Sequence, residues 1–233
     1  MPPPTESDVF FNIRVYLCPN KNDNMLRRLG WNILRKTGLA AHLALARYGE
    51  LHEWGWFRSF NRQEAMDRNG RPLPWLTYPS IYFLESRLQK SIDVFEFGSG
   101  SSTLWFAARV HSVTSVEHDK SWYDRVQERM PANCRLMLAA ENYPAAVAQT
   151  PDRYHLILVD GVERNACVFQ AVEKLTDDGV LVFDNSEREA YLPSIEFLFA
   201  RGFRRLPFRG LTPGVCVVND TSIFYRPGNC LGI

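Results

Sequence analysis

The sequence predicts an α/β protein built on a doubly wound, mainly parallel sheet with one reversed strand near its carboxyl end. Three observations predict it. From about residue 90 onward, short apolar runs alternate with amphipathic stretches, the pattern of strand–helix–strand units closed by right-handed crossovers. Two of these runs, "YHLILVD" (154–160) and "GVLVFDN" (179–185), are almost continuously apolar, as in strands covered on both faces. The alternation then fails. "FRRLPF" (203–208) and "TSIFYR" (221–226) are joined by a Gly/Pro-containing loop with no helix between them, so they are expected to pair antiparallel.

The remaining strands are "DVFEF" (93–97), "SVTSVE" (112–117) and "CRLML" (134–138), which brings the sheet to seven. "STLWFAARV", "KSWYDRVQERM", "NYPAAVAQT", "NACVFQAVEKL" and "YLPSIEFLFARG" read as the helices that follow strands. Residues 1–90 read as a helical extension or cap, and residues 91–233 as the core. Within the extension, residues 22–51 are helix-like and basic, with Leu26, Leu29 and Ile33 at helical spacing and Arg27, Arg28, Arg35 and Lys36 around them. Such a stretch is an amphipathic helix of the domain, or one that touches a membrane surface or partner. "WGWFRSF" either packs the cap onto the sheet or forms an aromatic lid over a substrate. A Pro/Gly-containing loop at 69–74 separates it from "WLTYPSIYFLESRLQK", a helix leading into the first strand.

Composition narrows the function. The 233 residues are 45% hydrophobic and 13% aromatic, enough for a substantial core, and the formal net charge is +1. No global field favours nucleic acid or a membrane surface, and no apolar stretch reaches the ~20 residues that span a bilayer. The five cysteines, Cys18, Cys134, Cys167, Cys216 and Cys230, include no C-x-x-C pair. They suit a reducing compartment better than a disulfide framework or zinc site. The expectation is a cytoplasmic protein with a small-molecule partner, neither nucleic-acid-binding nor membrane-spanning.

The chemistry starts at "DVFEFGSGSSTLW" (93–105). An apolar run ends in Glu96 and breaks into Gly98, Ser99, Gly100, Ser101, Ser102 and Thr103, a strand turning sharply into a helix at the edge where open α/β sheets bind ligands. Thr103 stands where a dinucleotide fingerprint carries its third glycine, and a pyrophosphate gains nothing from the Glu96 carboxylate. A cationic ligand does. Glu117 ends the second strand 19 residues after Gly98, near the ~20-residue spacing at which an acid meets a ribose diol.

"EFGSGSST", "VEHD", "LILVDG" and "GVLVFDN" together resemble the successive motifs of the class I S-adenosylmethionine-dependent methyltransferases, over roughly residues 75–226. The resemblance implies a Rossmann-like seven-stranded fold with a reversed last strand, and S-adenosyl-L-methionine as cofactor. It implies that Glu96, Gly98, Ser99 and Gly100 surround the methionine end, with Thr103 opening the helix. Glu117 would then hold the ribose, with His118 beside the adenosine. Asp160, Asp184 and Asn185 end the fourth and fifth strands, and "VDG … FDN" is similar to the metal ligands of the cation-dependent O-methyltransferases. That likeness implies Mg²⁺ on Asp160, Asp184 and Asn185, oxygen donors that suit a hard cation. The chain departs from it after Asp160, where Gly161-Val162-Glu163-Arg164 follows. The other reading is that Asp160 and Asp184 line the pocket without metal and orient or deprotonate the acceptor. The activity implied is O-methylation of a small molecule. A binding protein that keeps the pocket without chemistry, a nicotinamide-dependent oxidoreductase and an aminopropyl transferase are the alternatives. His155, inside a strand, is expected to be structural and His111 solvated. Tyr78 and Tyr82 are expected to pack in the core.

Overall fold

The computed structural model describes residues 25–233; the opening prolines, Cys18 and the start of the basic stretch lie outside them. The cap is α1 (Met25–Lys36), α2 (Leu39–Tyr48), α3 (Glu50–Glu53) and α4 (Trp56–Arg62). The predicted helix over 22–51 is thus divided: Gly38 and Gly49 stand at the breaks, where backbone entropy disfavours continuing a helix. α5 (Tyr78–Glu85) carries Pro79 in its first turn, where the missing N–H costs nothing.

The core then alternates as expected: β1 (Asp93–Phe97), α6 (Ser101–Ala107), β2 (Ser112–Glu117), α7 (Lys120–Gln127), β3 (Cys134–Leu138), β4 (Tyr154–Val159), α8 (Arg164–Ala171), β5 (Leu175–Asp184), α9 (Leu192–Ala200), β6 (Arg204–Gly210) and β7 (Asn219–Tyr225). The sheet order is β3-β2-β1-β4-β5-β7-β6, with β7 antiparallel to both neighbours and every other pairing parallel. One helix prediction changes. "NYPAAVAQT" forms a 3₁₀ helix, Tyr143–Gln149, entered through Asn142 at φ 52° and closed by the Thr150 hydroxyl on the Val147 carbonyl.

Side-chain parity divides the core into two layers. Phe95, Phe97, Ile157, Val159, Leu181 and Phe183 face the 3₁₀ helix, α8 and α9. Val94, Leu156, Leu158, Val180 and Val182 face α5 and α6. Every one of these residues is buried, which is why β4 and β5 read as unbroken apolar runs. By the same parity Glu96, Asp160 and Asp184 continue the second set, so three acids reach the carboxyl edge on the side of α5 and α6.

The aromatic segment of the cap packs. Trp54 lies 4.7 Å from the Tyr78 ring, and the Trp56 indole N–H donates to the Val215 carbonyl at 3.0 Å. Tyr78 is buried, whereas Tyr82 is about half exposed at the edge of the same cluster. His155 Nδ1 accepts the Asp93 N–H at 3.1 Å, a structural role, and His111, although exposed, pairs with the Asp93 carboxylate at 2.7 Å. Among the described residues no helix is long and apolar enough to cross a membrane.

Candidate functional site

The strand order reverses direction between β1 and β4, which opens a crevice at their carboxyl ends. The glycine turn sits there. Gly98 and Gly100 have φ of 103° and 151°, values that side chains rarely adopt, and the turn is tied back by the Gly98 N–H on the Val116 carbonyl at 3.0 Å. Thr103 does more than open α6: its hydroxyl accepts the Gly100 N–H at 3.0 Å and donates to the Glu96 carboxylate at 2.5 Å. Ser115, opposite Glu96 on β2, donates to the same oxygen at 2.8 Å. Glu96 is buried. Burial lifts its carboxyl from 4.5 to about 7, against the lowering effect of Ser102, Thr103 and Ser115.

Glu117 is buried in a second network. It accepts the Ser99 hydroxyl at 2.9 Å and the N–H groups of His118 and Asp119 at 2.8 and 3.0 Å, while His118 Nδ1 lies 2.9 Å from it. The Ser99–Glu117 contact joins the glycine turn to the end of β2. Two residues with no signal in the sequence complete this wall. Trp122 on α7 donates its indole N–H to the Ser99 carbonyl at 2.8 Å and lies against Gly100. Tyr143 sits edge-on to His118, and its buried hydroxyl has no hydrogen-bond partner among the described residues. That hydroxyl lies so close to Gly161 that any Cβ there would run into it. Gly161→Ala is therefore expected to lower stability by about 1–3 kcal/mol in a urea titration, the usual cost of overpacking.

The glycine turn, Glu96 and Asp160 line one cavity of about 380 Å³, together with Arg62, Ala65 and Trp75 of the cap and Trp122 and Arg125 of α7. A larger recess of about 670 Å³ lies beyond Leu104, between the cap and α5–α6, and holds none of the predicted site residues. His118 and Glu117 do not border the smaller cavity.

Asp160, Asp184 and Asn185 do come together, but around a guanidinium. Arg164, the first residue of α8, points back between the ends of β4 and β5. Its Nη2 donates to the Asp160 carboxylate at 2.8 Å and the Asp160 carbonyl at 3.2 Å. Its Nη1 donates to the Asp184 carbonyl at 2.6 Å and the Asn185 side-chain oxygen at 3.3 Å, and its Nε to the Gly161 carbonyl at 2.9 Å. The Asp184 carboxylate also accepts the Thr221 hydroxyl at 2.7 Å. Burial holds both carboxyls above the ordinary aspartate range; Asp184 raises Asp160 further, and Arg164 opposes the rise on both. The expectation of Mg²⁺ on these residues finds no support in this arrangement. A divalent cation needs open oxygen ligands, whereas here the guanidinium is bonded to the Asp160 carboxylate, the Asn185 side chain and the Asp184 carbonyl, and the Asp184 carboxylate is held by Thr221. Among the described residues no cluster of three His, Cys, Asp or Glu side chains is arranged to hold a metal.

No protein-family model and no curated protein matches the sequence. Solved structures do match. The precorrin-6y C5,15-methyltransferase of Geobacter metallireducens aligns with a TM-score of 0.53 at 14% identity, over 72% of this chain and 96% of that one. An rRNA methylase from Streptococcus thermophilus aligns at 0.50 and 16%, over 64% and 95%. A Streptococcus mutans protein in complex with SAH aligns at 0.50 and 15%, over 64% and 96%. The chain has the fold of the class I S-adenosylmethionine-dependent methyltransferases.

Proposed function

We propose that the protein is an S-adenosyl-L-methionine-dependent methyltransferase acting on a small-molecule acceptor, by preference at a hydroxyl. The observation that carries this reading is the cavity running from the glycine turn and Glu96 to Asp160 beneath the cap. Its volume, about 380 Å³, is that of a small-molecule site. Glu96 and the turn suit the charged amino-acid end of the cofactor; Glu117 and His118, which lie outside that cavity and are joined to the turn through Ser99, would take its ribose and base beyond it. Among the described residues, 25–90 act as the cap, whose Arg62, Ala65 and Trp75 border the space left for the acceptor.

The bound cofactor supplies a methyl group already activated on a sulfonium. Asp160, which lines the same cavity, orients the acceptor hydroxyl and takes its proton as the oxygen–methyl bond forms and the sulfur–methyl bond breaks. Neutral thioether, methyl ether and one proton are the balance.

Thermal unfolding in the presence of S-adenosylmethionine, S-adenosylhomocysteine or reduced nicotinamide tests the reading. At 100 times its dissociation constant a ligand adds ~2.7 kcal/mol; both sulfur ligands should raise the midpoint and nicotinamide should not. The reverse pattern would return the chain to the oxidoreductases. Glu117→Gln is expected to weaken S-adenosylhomocysteine about tenfold by calorimetric titration, the loss of one charged hydrogen bond. Turnover of the cofactor with any acceptor separates the enzyme from a binding protein.

A further inference from the structure

The structure assigns to Arg164 the place of a divalent cation: the guanidinium is the site's own cation, and it leaves the reaction independent of metal. This deepens the methyltransferase reading and rests on it, since it says which charge organises that site.

A valence count carries the inference. A guanidinium has five N–H bonds, and Arg164 directs them at five oxygens: the carbonyls of Asp160, Gly161 and Asp184, the Asp160 carboxylate and the Asn185 side chain. None is left over for a ligand. The second oxygen of the Asp184 carboxylate lies 3.5 Å from Nη1. A dication set among these oxygens would have to displace the guanidinium or share the space with it, positive charge against positive charge. Displacement is disfavoured twice: Arg164 is nine-tenths buried, and the backbone carbonyls it satisfies would lose their donors.

Local backbone explains how the side chain arrives there. Glu163 takes a left-handed conformation, φ 49°, so α8 starts abruptly at Arg164 and its side chain turns inward toward the strand ends four residues before and twenty after. Arg164 is thus a positioning residue. It fixes the Asp160 carboxylate at the cavity, and the acceptor must be one that a single carboxylate can hold. A vicinal diol bound by chelation to a metal is not expected as substrate.

Mn²⁺ tests the assignment, read by loss of the free-ion electron paramagnetic resonance signal. Wild type should leave Mn²⁺ free at millimolar concentration, and its S-adenosylhomocysteine affinity should be the same in EDTA and in Mg²⁺. Arg164→Ala should take up one Mn²⁺ per chain, and its unfolding midpoint should rise with Mg²⁺. Arg164→Gln, which preserves bulk without charge, repeats the test if the alanine variant does not fold. Uptake of Mn²⁺ by wild type that is lost in Asp184→Asn would overturn the assignment. So would folded variants that bind no ion. If neither variant folds, the wild-type arms decide. Failure of wild type to bind S-adenosylhomocysteine in either condition would count against the methyltransferase reading and leave the Mn²⁺ result standing.

Discussion

Replacing Arg164 by alanine is expected to destabilise the protein by about 3–5 kcal/mol at neutral pH, the cost of removing one partner from a buried ion pair. The lost hydrogen bonds are the smaller part. Asp160 and Asp184 already sit above the ordinary aspartate range with the guanidinium present, because burial disfavours their charge. Without it, two carboxyls are left facing each other in a recess with no cation. Their affinity for protons rises further, and that fixes the pH dependence of the defect. A carboxyl whose affinity is raised in the folded state costs nothing where it is protonated both folded and unfolded, and the cost grows as pH rises through its folded value. The difference between variant and wild type should therefore be largest at pH 7 and above and shrink toward about pH 4. Arg164→Lys keeps the charge but cannot span five oxygens, and should recover only part of the stability. Urea titrations of the three proteins at two pH values measure this. An alanine variant within 1 kcal/mol of wild type at neutral pH would show that the two aspartates share a proton and need no cation.

Why was the sheet legible in the sequence when this clip was not? Strand position depends on apolar periodicity, and β1 to β4 fall within a residue of where the runs place them. The antiparallel pairing of β6 and β7 was equally plain, because no helix fits between them. The strand-end acids were visible for the same reason: a charge closing an apolar run has few places to go. Arg164 has no such signature. It reads as one more surface arginine at the start of a helix, and only the left-handed turn at Glu163 sends it inward. The one hint was the unusual "GVER" after Asp160, a departure from the cation-dependent pattern whose meaning depends on a side-chain direction that sequence does not carry. Trp122 and Tyr143 were missed for a related reason. Each reaches the site from an element that packs elsewhere, α7 and the 3₁₀ helix, so local spacing says nothing of where its ring ends. The cap was legible only as helical. Its cavity-lining residues, Arg62, Ala65 and Trp75, come from the end of α4 and the loop after it, where no periodicity exists to be read.

Glu96→Gln is expected to make the protein more stable, and the gain should depend on pH. Burial pushes the Glu96 carboxyl up to about 7 from its ordinary value of 4.5. A raised affinity means that stability is fully present below pH 4.5 and declines as pH rises through about 7. At pH 8 the charged, buried Glu96 costs on the order of 3 kcal/mol, and glutamine, which still accepts from Thr103 and Ser115, avoids most of it. Wild type and variant should converge near pH 4. A cationic ligand in the cavity reverses the argument for the charge, since it favours the ionised acid that burial disfavours. Binding of S-adenosylhomocysteine near pH 7 should then release about half a proton per chain, detectable as a buffer-dependent heat in calorimetry, and the glutamine variant should release none through this group. If the variant is stabilised yet binds with unchanged affinity and unchanged proton release, Glu96 is a structural acid and the cationic end of the ligand lies elsewhere. If both binding and proton release fall, a residue that weakens the empty fold is retained for what it does when the cavity is filled, the kind of conflict between stability and function that marks an active site.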